Sequence, residues 1–159
     1  MSAPVIRAAT AADLPAAAAL GAWLVRMHHA ANPSRFFLPE QPEEGYAWWL
    51  AKEIERPEAV VFVAELDGAV VGYAYGTFEE RDWTILVDRH GEIHDLCVAE
   101  SARRRGVGRA LALATIERLE ALGAPRILLN AMVQNESAQR LFASVGFRTT
   151  MVEMTRERG

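Results

Sequence analysis

The sequence contains one cysteine, Cys97. It has no internal disulfide partner, so the composition suits a reducing compartment and a cytoplasmic protein is expected. Long hydrophobic runs are also missing. The longest charge-free apolar stretch, residues 14–25, falls well short of the ~20 residues that cross a bilayer. With Asp13 at its border and Trp23, Met27 and His28 at its far end, it suits a helix better than a signal peptide, and no membrane partner is expected. Positive charge is in deficit: 17 Lys and Arg stand against 21 Asp and Glu, a net charge of -4. Such a chain offers no global field to a phosphate backbone, which argues against nucleic acid as a partner. Repeats, low-complexity tracts and Pro/Gly-rich linkers are absent, and 159 residues fit one domain spanning residues 1–159, with the last few frayed. What is present is apolar material, 51% of the residues, sufficient for one sizeable core.

Along the chain, residues 5–8 read as a short strand, followed by Thr10 and Asp13, either of which can accept the unpaired N–H groups of a starting helix. Pro15 falls within the first turn, and the Ala-rich stretch with Leu20, Leu24 and Met27 carries the helix to about residue 29. Asn32, Pro33 and Pro39 mark a loop. A second helix starts near Pro42, with Tyr46, Trp49, Leu50 and Ile54 at helical spacing and Pro57 beyond its end. Residues 60–66 and 69–78 are rich in β-branched and aromatic side chains, and the Asp67-Gly68 pair between them favours a type I′ hairpin turn. The connection 79–91 has no clear period, although 83–87 suits a short strand; 92–98 is the next strand. A helix over 107–122 is apolar around much of its circumference and ends at Gly123 and Pro125. Residues 126–133 read as a strand. Asn135 then caps a helix with an Ala138, Leu141, Phe142, Val145 stripe and Gly146 as its left-handed terminus, and residues 147–155 are expected to close the sheet.

Chemistry concentrates where the strand 92–98 leads into Arg103-Arg104-Arg105-Gly106-Val107-Gly108 and the helix behind it. The first N–H groups of a helix lack internal partners and sit at the positive end of its dipole, which makes a glycine-rich strand-to-helix turn an anion site. Without a Cβ at Gly106 and Gly108 the backbone can approach a phosphate, and the flanking arginines add charge and donors. The segment lacks the four-residue spacer and Lys-Ser/Thr of a Walker loop. It also has Leu111 where the dinucleotide fingerprint needs a third glycine.

Arg103-x-x-Gly106-x-Gly108 after an apolar strand resembles the acetyl-coenzyme A signature of the GNAT superfamily of N-acetyltransferases, Gln/Arg-x-x-Gly-x-Gly/Ala. Asn135, Ala138, Phe142 and Gly146-Phe147 fall in the family's downstream register, and the Asp67-Gly68 hairpin and two early helices match its order. The resemblance therefore covers nearly the whole chain. It implies an α/β (α+β) fold, a mixed, mostly antiparallel twisted sheet flanked by helices in the order β-α-α-β-β-β-α-β-α-β. It implies acetyl-coenzyme A as co-substrate, with no metal, and an amine of a small molecule or protein as acceptor; family members often pair as dimers. By the same resemblance, the N–H groups of Arg104, Arg105, Gly106, Val107, Gly108 and Arg109, with Arg103 beside them, bind the pyrophosphate. Leu96, Cys97 and Val98 hydrogen-bond the pantetheine arm as an added strand would. Asn135 and the helix carrying Ala138 and Phe142 line that arm, and the strands before Arg103 and after Pro125 splay apart to admit the thioester.

The implied reaction is direct attack of an amine on the thioester in a ternary complex. An amine with a pKa near ~10.4 must first lose a proton. By two-residue alternation Glu92, His94 and Leu96 share one strand face and Ile93, Asp95 and Cys97 the other, which makes Glu92 and His94 the candidate bases. A strand histidine can equally be satisfying a structural hydrogen bond. A backbone donor near Val98 would stabilise the oxyanion. Phe142 stands where many family members carry a tyrosine acid; water, Tyr73 or Tyr75 are the substitutes, and thiolate, with a pKa near ~8.5, leaves without strong assistance. That departure keeps open a coenzyme A-binding module with weak or no transferase activity. Cys97 in a core strand reads more readily as a buried thiol than as an acyl carrier, and His28-His29 lacks metal-ligand spacing. Phe36, Phe37, Glu40, Glu43, Glu44 and Tyr46 lie in the family's acceptor-side region, where they would shape a pocket for a cationic amine.

Overall fold

The Asp67-Gly68 turn organises the centre of the sheet. In the computed structural model, which describes residues 2–159, both turn residues have positive φ, 51° and 82°, as a type I′ hairpin requires. The turn pairs the whole of β2 (Ala59–Leu66) with β3 (Ala69–Glu79) as far as Thr77. The antiparallel neighbours β1 (Val5–Ala8) and β4 (His90–Val98) flank this hairpin, and β5 (Ile127–Leu129) joins β4 in parallel, giving the order β1-β2-β3-β4-β5. One face is covered by α1 (Leu14–Ala31) and α2 (Pro42–Glu53), the other by α3 (Val107–Ala121), with α4 (Glu136–Ser144) beside α3. No helix among the described residues is long and apolar enough to cross a membrane.

The element order follows the sequence expectation through α4, and the helix ends fall where Gly123 (φ 103°) and Gly146 (φ 101°) adopt the left-handed conformation. Three expected strands change. Residues 83–87 contribute only the single bridge Asp82↔Val87. The strand expected over 126–133 is confined to Ile127–Leu129. Residues 147–155 do not close the sheet: a three-residue β5 offers too short an edge for a ladder. Met151, Val152 and Met154 stay exposed, while Glu153 is drawn to Arg35 in the α1–α2 loop at 3.0 Å.

The two faces differ in texture. β3 presents Gly72, Ala74 and Gly76 to α3; a Cβ on Gly72 would lie 3.0 Å from Leu111 and one on Gly76 3.4 Å from Leu119 and Thr115, so the missing side chains let α3 pack close against the sheet. Val107, Leu111 and Leu119 fill this side. Against the other face α1 and α2 pack Ala17 and Leu50 over Val61, Val63, Tyr73 and Tyr75.

The entry to α1 is held by charge. The buried Asp13 carboxylate accepts the Thr10 N–H at 2.8 Å and hydroxyl at 3.0 Å, and Arg7 grips it bidentately at 2.7 and 2.9 Å while also reaching Glu65. The Arg7 hydrogen bonds hold Asp13 far below the usual carboxylate range. A depressed carboxylate pKa stabilises the fold above the unfolded value of ~3.9 and loses that contribution as pH falls towards the folded value. Asp13→Asn should therefore lower the melting temperature by about 5 °C at pH 7, with the gap to the parent shrinking below pH ~4. Thermal denaturation across pH checks both the sign and the window.

Candidate active site

β4 keeps its partner β3 to the end but loses β5 early. The parallel ladder runs only from Gly91↔Ile127 to Ile93↔Leu129. On the other side the Ala99 N–H donates to the Val71 carbonyl at 2.7 Å, extending the β3–β4 register by one pair. Counting back by twos, Cys97 and Asp95 turn their backbone polar groups to β3, whereas Leu96 and Val98 turn theirs to the edge that β5 has left. The Val98 carbonyl there accepts Arg103 Nε at 3.2 Å. Cys97 thus departs from its expected contact with the cofactor arm: its amide belongs to β3 and its thiol to the core, where burial pushes its pKa up to about 11.

Beyond β4 the backbone winds through positive φ at Arg104 (60°) and Gly106 (77°), the latter capping α3. The first amide after this turn to find a protein acceptor is that of Ala110, on the Gly106 carbonyl at 3.0 Å. The six before it, residues 104–109, have none among the described residues. These N–H groups form a nest at the positive end of a 15-residue helix. The two glycines serve different ends. Gly106 has no atom within 4 Å of a Cβ position and is required for its φ. At Gly108 a Cβ would sit 3.2 Å from Leu141, so the space expected for a phosphate is used to bring α4 against α3. The arginines divide likewise: Arg103 lies over Trp23 at 4.8 Å, Arg109 bonds Ser144 at 3.1 Å, and Arg104 is exposed. Asn135 accepts the Ala138 N–H at 3.1 Å as a helix cap, and Phe142 packs edge-on against Phe147 at 5.7 Å, buried.

A bulge corrects the facing of β4. Gly76 pairs with Ile93 and Tyr75 with Asp95, leaving His94 as the extra residue. Alternation therefore breaks. Glu92, His94, Asp95 and Cys97 lie on the α1–α2 face, and Leu96 joins Ile93 and Val98 towards α3. Sequence reasoning missed Asp95, whose carboxyl accepts the hydroxyls of Tyr73 and, at 3.4 Å, Tyr46; burial raises its pKa. A mid-strand glycine, Gly76, was the available sign of the bulge.

His94 stacks on Tyr75, 5.1 Å between centroids, and its Nε2 lies 2.8 Å from Thr77 Oγ1. The Thr77 hydroxyl donates to Glu79 at 2.5 Å, so it accepts from His94; Nε2 then carries the proton, and Nδ1 of the neutral ring has a lone pair. That lone pair stands 3.9 Å from Glu92 Oε1. His90 mirrors it: Nδ1 donates to the Asp88 carbonyl at 2.8 Å, leaving Nε2 3.9 Å from Glu92 Oε2. Glu92 is flanked by two acceptors with no donor between, an arrangement that fits an N–H-bearing guest. Tyr73 and Tyr75 are committed elsewhere, Tyr75 donating to Glu53, and burial raises the pKa of both. The pocket expected from residues 36–46 does not assemble. Glu43 pairs with Arg26 at 3.0 Å, Tyr46 turns to Asp95 and Phe37 is 83% exposed.

The family model described as the acetyltransferase (GNAT) family matches residues 24–147. The chain belongs to that family. It is an acetyltransferase, with acetyl-coenzyme A as the acetyl donor. It is 32% identical over 117 residues to an N-alpha-acetyltransferase of Sulfurisphaera tokodaii, covering 70% of each chain. It is 33% identical over 122 residues to a mycothiol acetyltransferase of Thermomonospora curvata, covering 72% of this chain but 38% of that one. The chain thus spans under half the length of the mycothiol acetyltransferases it matches. A Bacillus halodurans protein shares the fold with a TM-score of 0.79 at 22% identity, covering 97% of this chain and 99% of that one. Aminoglycoside N-acetyltransferase AAC(6')-Iy, solved in complex with CoA, shares it at 0.71 and 20% identity, covering 100% and 97%.

The placement of Cys97 carries its own test. With its pKa near 11 the thiolate fraction at pH 8 is roughly a hundredfold or more below that of a free cysteine, and alkylation of the folded protein by iodoacetamide should slow at least in that proportion. Reaction at the rate of the unfolded chain would show the thiol to be accessible.

Proposed function

We propose that the protein transfers the acetyl group of acetyl-coenzyme A directly to an amine held on the α1–α2 side of β4. The observation that carries this reading is the run of six unbonded amides, residues 104–109, beside the unpaired edge of β4. The amides and Arg104 hold the diphosphate, while the backbone groups of Leu96 and Val98 on the open edge take the amides of the pantetheine arm. The Val98 N–H faces the thioester carbonyl and steadies negative charge as it develops. Ala138, on the helix capped by Asn135, lines the arm, and Phe142 shields it from behind.

The amine sits between Glu92 and His94 Nδ1, which take its proton before attack. The nitrogen then bonds the acetyl carbon, the carbon–sulfur bond breaks, and the thiolate leaves carrying the electron pair. Phe142 donates nothing to it, which is tolerable for a leaving group with an unperturbed pKa of ~8.5. The 32% identical N-alpha-acetyltransferase is consistent with an amine as acceptor.

Thiol release across a panel of amines tests the reaction. Glu92→Gln and His94→Ala should each lower kcat by about a hundredfold or more, and unchanged rates in both would reject the base assignment. Gly106→Val, which forces a β-branched residue to φ near 77°, should weaken acetyl-coenzyme A binding about tenfold by calorimetry. Tight binding of acetyl-coenzyme A with no turnover of any amine would favour a coenzyme A-binding module instead.

A further inference from the structure

The chain between β3 and β4, which has no legible period in sequence, builds a cavity of about 330 Å³ beside Glu92. Its wall contains Glu79, Asp82 and Glu92, none of which has a lysine or arginine partner among the described residues. Arg81 also lines the cavity, but it is held by Asp88 at 3.1 Å and lies over Trp83 at 5.4 Å, and Arg89 is held by Glu80 at 3.3 Å. Trp83 and Ile85 stand at the rim, 73% and 56% exposed.

His90 sets this cavity apart from a merely acidic surface. It is 2% exposed and lines the cavity, and its Nε2 has no hydrogen-bond partner among the described residues. Because the opposite ring nitrogen must donate to a carbonyl, Nε2 of the neutral ring is an acceptor that opens into the cavity, and its neighbour at 3.9 Å, Oε2 of the part-exposed Glu92, is an acceptor as well. Two acceptors 3.9 Å apart cannot satisfy one another and turn their lone pairs to whatever occupies the cavity. A group with several N–H donors and a positive charge satisfies both and neutralises the carboxylates around it. Glu92 thereby has two sides: Oε1 with His94, where the reacting amine sits, and Oε2 with His90, which opens into the cavity.

We propose that this cavity binds a second positive charge of the acceptor, so that the preferred acceptors are diamines and longer polycationic amines rather than monoamines. The proposal rests on the transferase reading above for its reaction, but not for its binding site. A distal ammonium lodges among His90, Glu79 and Asp82 with its methylene spacer against Trp83, while the proximal amine lies at Glu92 and His94. Recognition of this kind is electrostatic and weakens with salt.

The test compares tetramethylenediamine and hexamethylenediamine with butylamine and hexylamine. In the parent, kcat/KM should favour each diamine by about tenfold or more, through KM. Glu79→Gln and Asp82→Asn should each narrow that ratio to below about threefold. Equal kcat/KM for diamines and monoamines in the parent would overturn the proposal and leave the transferase reading intact. Calorimetric titration of the parent with hexamethylenediamine, without acetyl-coenzyme A, separates the two claims. Binding that weakens in Glu79→Gln and at higher salt supports the cavity even if no amine is ever acetylated; absence of binding in the parent overturns it.

Discussion

The molecule turns on a ladder that stops. β4 is paired along its full length on one side and for three residues on the other, because β5 leaves it after Ile93↔Leu129. Inside a sheet, a backbone N–H or C=O with no partner costs of the order of a lost hydrogen bond, so an interior strand with an unpaired edge persists only where water or a ligand completes it. Here the groups concerned are those of Leu96 and the N–H of Val98, the Val98 carbonyl being taken by Arg103, and the six unbonded amides of residues 104–109 lie one short turn further on. The open edge of β4 and the first turn of α3 thus present two groups of unsatisfied backbone, joined by a turn whose own amides at Ala99, Ala102 and Arg103 are bonded. Side chains close to it hold its shape: Arg103 pins the turn to Val98 and Trp23, and Arg109 ties α3 to α4.

The bulge at His94 settles what the other face of the same strand can do. Under regular alternation Asp95 would share a face with Ile93, towards the apolar packing of α3 and Leu119, where a carboxyl has no partner. One extra residue brings His94 and Asp95 to the α1–α2 side together, where Tyr73, Tyr46 and Thr77 supply hydroxyls. It also turns Leu96 into the apolar layer under α3. Polar chemistry is thus gathered on one face and apolar sealing on the other, within a strand whose sequence alternates only in part.

Much of this was legible in the sequence because local chemistry decided it. Asp67-Gly68 can form few turns other than type I′, Gly123 and Gly146 end their helices by adopting a conformation that other residues resist, and Asn135 caps the helix it precedes. The turn that leaves the amides of residues 104–109 unbonded was legible for the same reason. What escaped depended on tertiary geometry. A two-residue period cannot announce the residue that breaks it, so the partition of Leu96 and Asp95 came out reversed. The edge available to residues 147–155 depends on how far β5 extends, and Ile127–Leu129 is shorter than its apolar composition suggested. The segment 79–91 has no period because its residues line a cavity and grip one another as ion pairs, as Arg81 does Asp88, rather than covering a sheet.

Taken together, these features give β4 two ends of opposite character. At its C-terminal end the unsatisfied groups are donors: the amides of residues 104–109 at the positive pole of α3, with arginines alongside. At its N-terminal end they are acceptors: Glu92 between the lone pairs of His90 and His94, with Glu79 and Asp82 beyond. In the reaction proposed above, this polarity would draw the anionic carrier and the amine each to its own end and disfavour it at the other. The strand separates its two ends by a rigid rise of ~3.3 Å per residue, so under that proposal charge would keep the reactants apart and backbone would set the distance between them. Neither end could supply this alone. An anion cradle without the acidic end would hold the carrier with nothing to meet it, and the acceptors around Glu92 would bind amines with no acyl group in reach.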